Sequence, residues 1–306
     1  MGGAQDDMKY AVLGNLTSDV IRTKGGTTRT MGGSACYCGL AASKLGCETY
    51  VLTRVGKNYN EEWLRQLRLA GVNLKVVYSR SSTVFENSYS RGRRTQLIRG
   101  NAGAIKDVPK EVLGCDVVHI GAVFSEIPIN VLRRVRKKTV SLDVQGFIRK
   151  KKDSKVLYKF WSSREKFLRH AKIVHIGADE APYSVRRCCR ELLDMGPEIV
   201  AVTDSVRGSY LLFEGSSEYV PAFPSKTVDP TGAGDVYTSA LAIRYFETKD
   251  PVESGYFASA AASFVVEDWG PRRLGTRVEV EERKELLQKG VRVKGHFHLP
   301  HPVTIE

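Results

Sequence analysis

Gly232, Ala233, Gly234 and Asp235 stand in a row immediately before Val236, Ala240, Ile243 and Phe246, which recur at helical spacing. Glycine is a poor helix former, so a G-A-G run at a helix start needs a reason. The first turn of a helix carries unpaired backbone N–H groups and the positive end of the dipole, which together make an anion site. Small residues at 232–234 let a phosphoryl group reach that backbone without side-chain obstruction. A carboxylate beside an anion site repels phosphate, unless its task is to take a proton from an attacking hydroxyl. An anion hole with a carboxylate base is the equipment for phosphoryl transfer to an alcohol. The competing reading is a plain one: Asp235 caps the helix, a common role for aspartate.

The elements that must position this turn can be read from the pattern around it. Apolar, β-branched stretches recur as KYAVLG, TYVLTRVG, CDVVHIGAV, TVSLDVQG, KIVHIGA and EIVAVTDS. Helical patterns such as SACYCGLAASKLG, NEEWLRQLRLAG, INVLRRVRKK, SREKFLRHA and APYSVRRCCRELLDMG lie between most of them. Apolar strands alternating with helices predict a mainly parallel sheet covered on both faces. Gly46, Gly71 and Gly196 follow helical runs, as left-handed caps do. Further helices are expected over 235–248, 252–268 and 279–288, all within one large α/β domain spanning 1–306. Two segments, about 15–33 and 83–100, break the rhythm with Thr, Val, Arg and Gly and read as hairpins. Assembled together they would make a small antiparallel flap, of the kind that closes over a site and excludes water.

The chain has 306 residues and a formal charge of +13, from 47 Lys and Arg against 34 Asp and Glu. Its basic residues are spread through RGRR, RRVRKK and RKKKDSK rather than joined to a zinc-finger or aromatic RNA-binding pattern. The runs at 133–138 and 149–155 are expected at amphipathic helices or their ends, as solvated faces, and no nucleic-acid partner is expected. No apolar run approaches the ~18 residues of a membrane span. No secretory signal order is seen before Met8, so a soluble cytoplasmic protein is expected. The six cysteines form no C-x-x-C pair and are expected to be packed, reduced thiols.

DPTGAGDVYTSALA at 229–242 closely resembles the C-terminal signature of the ribokinase-like (PfkB) carbohydrate kinases, and GGSACYCGLAASKLG at 32–46 resembles their N-terminal one. No G-x-x-x-x-G-K-[ST] of P-loop kinases occurs. The resemblance implies a three-layer ribokinase-like sandwich with a small β lid, and transfer of phosphate from ATP, with Mg²⁺, to a hydroxyl of a sugar, polyol or nucleoside. By position, Asp235 resembles the catalytic base, with an anion hole at Gly232, Ala233 and Gly234. Asp19 corresponds to the substrate-binding aspartate, placed by the resemblance at the end of the first strand. Gly32 and Gly33 correspond to the di-glycine that lets substrate approach. VTDSVRG at 202–208 is similar to the nucleotide-binding V-T-x-G-x-x-G, with Thr203 and Gly208 matching and Ser205 replacing a glycine, and FASAAASFVV resembles the adenine wall.

Departures from the family pattern shape the finer expectations. In place of N-x-x-E the chain has Gly177 and Glu180, leaving Glu180 to organise Mg²⁺ through water. Tyr37 stands where sugar-binding members carry Asn, so the acceptor pocket is expected to differ from that of ribokinases. DVQGFIR, with Asp143, Gln145 and Arg149, and TVFENSYSRGRRTQ resemble the myo-inositol kinase branch. Those three residues would bind a polyol, unless Asp143 and Arg149 form a structural pair. Other readings are a cytidine or adenosine kinase using Tyr37 and Phe85, a sugar-phosphate kinase gripping phosphate with Arg91, Arg93, Arg94 or Arg99, and a binding protein that has lost catalysis. A monovalent cation beside Asp229 and a homodimer stay open.

Overall fold

The computed structural model describes residues 8–23, 25–90 and 93–290. Its strands are β1 (Lys9–Leu13), β2 (Thr17–Thr23), β3 (Gly26–Gly32), β4 (Glu48–Gly56), β5 (Val72–Ser79), β6 (Thr83–Ser90), β7 (Arg93–Gly100), β8 (Val117–Ile120), β9 (Thr139–Asp143), β10 (Arg149–Lys152), β11 (Lys155–Tyr158), β12 (Ile173–Gly177), β13 (Ile199–Thr203), β14 (Ser209–Phe213) and β15 (Ser216–Val220). The helices are α1 (Ser34–Lys44), α2 (Glu61–Leu69), α3 (Lys110–Leu113), α4 (Ile129–Val135), α5 (Gln145–Ile148), α6 (Arg164–Leu168), α7 (Val185–Leu193), α8 (Ala233–Thr248), α9 (Pro251–Val265) and α10 (Arg277–Gln288).

Nine strands make one sheet in the order β15-β14-β13-β12-β9-β8-β1-β4-β5. From β13 to β5 every pairing is parallel, and β14 and β15 extend the edge antiparallel. Successive side chains of a strand point to opposite faces. In β1, Tyr10 and Val12 join the core under α1, α8 and α9, while Ala11 and Leu13 join the core under α4, α6 and α7. This is the sheet covered on both faces that the continuous apolar strands predict, and the three-layer sandwich that the resemblance implies. The expected cap glycines take left-handed conformations, with φ of 87° at Gly46, 85° at Gly71 and 121° at Gly196. The six cysteines are free and buried, and among the described residues no helix is long and apolar enough to cross a membrane.

The smaller sheet has the order β10-β11-β7-β6-β2-β3. The two unusual segments form its hairpins β2–β3 and β6–β7, and these meet edge to edge through a parallel β2–β6 pairing. The basic run at 149–155 corrects the sequence reading. Arg149 caps the end of the short helix α5, but the run as a whole lies in the hairpin β10–β11, which adds to β7. Lys150, Lys151 and Lys152 are exposed along its outer strand, where charge discourages further strands from pairing. Arg91 lies outside the described residues, as do the side chains of Arg93 and Arg94.

Candidate active site

α8 begins at Gly232, whose φ of 83° is left-handed and whose added Cβ would overlap the ring of Tyr37. Glycine is therefore required twice over, by conformation and by the ring packed beneath the turn. Tyr37 is only 2% exposed, so its ring supports this turn and has little open surface. Asp235 lies in the first turn of α8, and no side chain caps that helix. The plain capping reading therefore fails, and the Asp235 carboxylate takes a hydrogen bond from the Ser34 side chain. Burial pushes the Asp235 carboxyl up to about 7, with the charge of Asp143 adding to the rise, while Ser34, His175 and Arg149 pull the other way. A carboxylate at that value exchanges protons near neutral pH, as a general base should.

α1 starts beside it, and the Cys38 thiol donates to the Asp235 backbone oxygen at 3.2 Å. The charges of both Asp235 and Asp19 act on the Cys36 thiol in the first turn of α1. Asp19 itself lies in β2 of the smaller sheet rather than at the end of the first strand. There it accepts from Thr17 Oγ1 at 2.8 Å, and a Cβ at Gly32 would strike its carboxylate. Gly32 and Gly33 thus link this sheet to α1, with Gly33 at the helix start.

One face of the smaller sheet looks onto a cleft of about 740 Å³ between β2, β3, α2 and the turn at 269–272. Asp19 pairs across strands with Thr30 and Phe85, and Ile21 with Thr28 and Asn87. Asp19, Thr28, Thr30 and Asn87 line the cleft together with Asp229 and Trp269. Gln96 Nε2 donates to Asn87 Oδ1 at 3.0 Å, which fixes the amide orientation. Asp229 is buried, accepting from Thr231 N and Oγ1 at 3.0 and 2.6 Å and from Gly270 N at 3.1 Å. Arg149 is also buried. It donates to Val123 O at 3.1 Å and lies 5.3 Å above the Phe85 ring.

Asp143 keeps both oxygens inside the protein: Oδ1 accepts from Gln145 N at 2.8 Å, and Oδ2 lies 2.7 Å from His175 Nδ1. Gln145 Nε2 donates to Glu180 Oε1 at 2.8 Å, and Gly177 N to Glu180 Oε2 at 3.0 Å. Burial raises the Glu180 carboxyl, and the Asp143 charge adds to the rise. Thr203 ends β13 with its hydroxyl 2.9 Å from His175 Nε2. Ser205 and Gly208 follow in a turn with left-handed φ values of 52° and 93°, so the serine sits in a backbone region that favours glycine. His175 was not singled out in the sequence, because a histidine inside an apolar strand reads as core. Its alternation with Ile173, which faces α8, was the available signal.

Asp235, Glu180 and Asp143 thus crowd one end of the large sheet. Burial is the first cause of the upward pull on Asp235 and Glu180, the Asp143 charge adds to it, and His175 opposes it in both. Among the described residues no cluster of three or more His, Cys, Asp or Glu could hold a metal by itself. Glu180 would therefore hold Mg²⁺ only through water, as that ion commonly permits.

Residues 5–275 match the pfkB family carbohydrate kinases. The chain belongs to this family. As a pfkB family kinase it is a phosphotransferase acting on hydroxyl acceptors, within the sugar and nucleoside kinases. It is 25% identical to a cytidine kinase of Thermococcus kodakarensis, over 86% of this chain and 98% of that protein. It is 24% identical to an inositol 3-kinase of Oryza sativa subsp. japonica, over 94% of this chain and 75% of that one. Among solved structures it resembles a pyrophosphate-dependent ribokinase-family kinase complexed with a pyrophosphate analogue and myo-inositol. There the TM-score is 0.78 at 24% identity, covering 89% of this chain and 99% of the other. An Arabidopsis thaliana ribokinase complexed with ribose and ATP gives a TM-score of 0.75 at 21% identity, covering 91% and 99%. These likenesses establish the ribokinase-like fold of this pfkB kinase.

Proposed function

We propose that this protein is an ATP-dependent kinase of a small polyol, with myo-inositol the best-fitting acceptor. The observation that carries the polyol is the cleft face of the smaller sheet. It offers Asp19, Thr30 and the oriented Asn87 amide, groups that suit a ring bearing hydroxyls. The two aromatic residues on which the nucleoside reading of the sequence relied are covered, Phe85 at 3% exposure beside Arg149 and Tyr37 at 2% beneath Gly232.

In this reading Asp19 accepts hydrogen bonds from acceptor hydroxyls, and Gln145 and Arg149 complete the polyol site. Gly32 and Gly33 leave room for the acceptor to approach, while Tyr37 shapes the floor through Gly232. Asp235 takes the proton of the attacking hydroxyl as its oxygen bonds to phosphorus and the donor's bridging oxygen departs. The N–H groups of Gly232, Ala233 and Gly234 stabilise the charge on the transferred group. Thr203, Ser205 and Gly208 bind the nucleotide. Mg²⁺, organised by Glu180 through water, would neutralise donor charge. The smaller sheet closes as a lid and excludes water.

A second reading, a nucleoside kinase, is favoured by Trp269. It is 56% exposed and lines the same cleft with Trp63, an open aromatic surface on which a base could stack. The likeness to the cytidine kinase points the same way. Donor consumption with Mg²⁺ is the test, with ATP or pyrophosphate against myo-inositol, ribose, fructose, fructose 6-phosphate, cytidine and adenosine. Turnover strongest with ATP and myo-inositol is expected. Turnover strongest with cytidine or adenosine would replace the polyol by the second reading, and pyrophosphate as the better donor would replace ATP.

A further inference from the structure

Beneath the first turn of α8 runs a polar chain in which one member, His175, has no role above. His175 of β12 is directly paired with Asp143 of β9, and Thr203 ends the neighbouring strand β13. The imidazole bridges them, with Nδ1 2.7 Å from Asp143 Oδ2 and Nε2 2.9 Å from Thr203 Oγ1. The anion-hole residue Gly234 sits against the same ring, since a Cβ there would lie 3.1 Å from His175 Cε1. The buried ring therefore joins Asp143 on one side to the donor side of the site.

The directions of the two hydrogen bonds follow from donor and acceptor chemistry. An ionised carboxylate can only accept, so Nδ1 carries a proton. Asp143 is held ionised: burial opposes this, but the His175 charge, its hydrogen bond and the Gln145 N–H together keep its carboxyl below the usual aspartate value. The direction of the second bond depends on Nε2. Were Nε2 bare, the Thr203 hydroxyl would donate to it and its proton would point inward. With a proton on Nε2 the ring donates to Thr203 Oγ1, and the hydroxyl proton turns outward. A phosphate oxygen only accepts, so only this arrangement makes Thr203 a phosphate ligand.

We propose that His175 is a positioning residue which, protonated on both ring nitrogens, turns the Thr203 hydroxyl toward the phosphoryl donor. This rests on the placement of the donor beside Thr203 in the proposed function. The groups facing the ring are Asp143 from β9, His119 from β8, Thr203 from β13, Glu180 from the turn after β12, and Asp235 and Tyr237 from α8. Burial opposes the charged ring, but Asp143, Glu180 and Asp235 outweigh it and raise His175 above its ordinary value. His119 is pushed down to about 4 by burial, so it adds no opposing charge at neutral pH.

Side-chain ¹⁵N spectra of the full chain, with His175 assigned through His175→Gln, read both ring nitrogens directly. Both are expected to be protonated at pH 7, with Nε2 losing its proton only under more alkaline conditions. Calorimetric binding of ADP with Mg²⁺ should weaken several-fold over that same range. Thr203→Ser should keep this pH step, whereas Thr203→Val should bind ADP several-fold more weakly and without the step. An unprotonated Nε2 at pH 7, or a Thr203→Val variant that keeps the step, would overturn the proposal. If ADP fails to bind while pyrophosphate does, the nucleotide donor is wrong; the spectra still decide the state of His175, and pyrophosphate then serves as the probe for the Thr203 variants.

Discussion

The two faces of β9, β12 and β13 carry opposite chemistry. Toward α4, α6 and α7 they present Val140, Leu142, Val174, Ile176, Val200 and Val202, all within one apolar cluster. Toward α8, β12 and β13 begin apolar, with Ile173, Ile199 and Ala201, and end polar, with His175 and Thr203, while β9 is polar throughout, with Thr139, Ser141 and Asp143. The difference is a division of labour along and across the sheet. One face stabilises the fold by excluding water, and the carboxyl ends of the other face hold the polar groups on which the proposed function draws.

If that division is real, damage on the two faces should be of different kinds. The largest effect is expected from Asp235→Asn, which should lower kcat by about 10²–10⁴-fold. ADP binding by calorimetry should survive in that variant, because the change removes a proton acceptor and leaves the backbone donors. Normal turnover would remove the base from its role. On the dry face, Leu142→Ala should cost about 2–5 kcal/mol in urea unfolding by opening a cavity. Activity per folded molecule should stay near the parent level, and a matching loss of kcat would blur the division between the faces.

On the smaller sheet, Asp19→Ala should raise the acceptor KM by about 10–100-fold, the worth of one or two hydrogen bonds to a charged group. The donor KM should hold, and an unchanged acceptor KM would count against Asp19 as a substrate ligand. The smallest effect is the subtlest. Asp235 is raised to about 7 in the fold, so its ionised form opposes folding. That penalty is absent below the usual aspartate value, grows as pH rises and is constant above about 7. Asp235→Asn should therefore be more stable than the parent at pH 8, by at least about 1 kcal/mol, and equal to it near pH 3. Wild-type kcat/KM should fall about tenfold per pH unit well below 7, as the base becomes protonated. Thermal unfolding of both proteins across pH checks the sign, and a variant less stable at pH 8 would contradict it.

Much of the fold was legible because most parallel strands carry a buried, largely apolar run and the longer helices are amphipathic or small-residue rich. KYAVLG, KIVHIGA and EIVAVTDS became β1, β12 and β13 without revision. The hairpins were legible as segments, but their parallel junction through β2 and β6 was not, since nothing local encodes which edges meet. The lysines of RKKKDSK were misjudged as a helix face or end because five consecutive charged residues carry no periodicity; Asp153 and Ser154, both with positive φ, make the chain turn into a hairpin instead. β5, β14 and β15 also went unnoticed, their burial being too partial for a clear apolar run.

By itself the sequence determined the glycine turn at 232–234, the aspartate that follows it and the α/β alternation that supports them. These depend on local backbone freedom and on periodic burial, which a linear string records directly. Only the tertiary structure decided that Tyr37 supports that turn, that Asp143 pairs with His175 rather than facing open solvent, and that Asp19 and Asn87 share one cleft. Those facts depend on which strands become neighbours and which face each side chain takes, and chain separation hides both until the sheets are assembled.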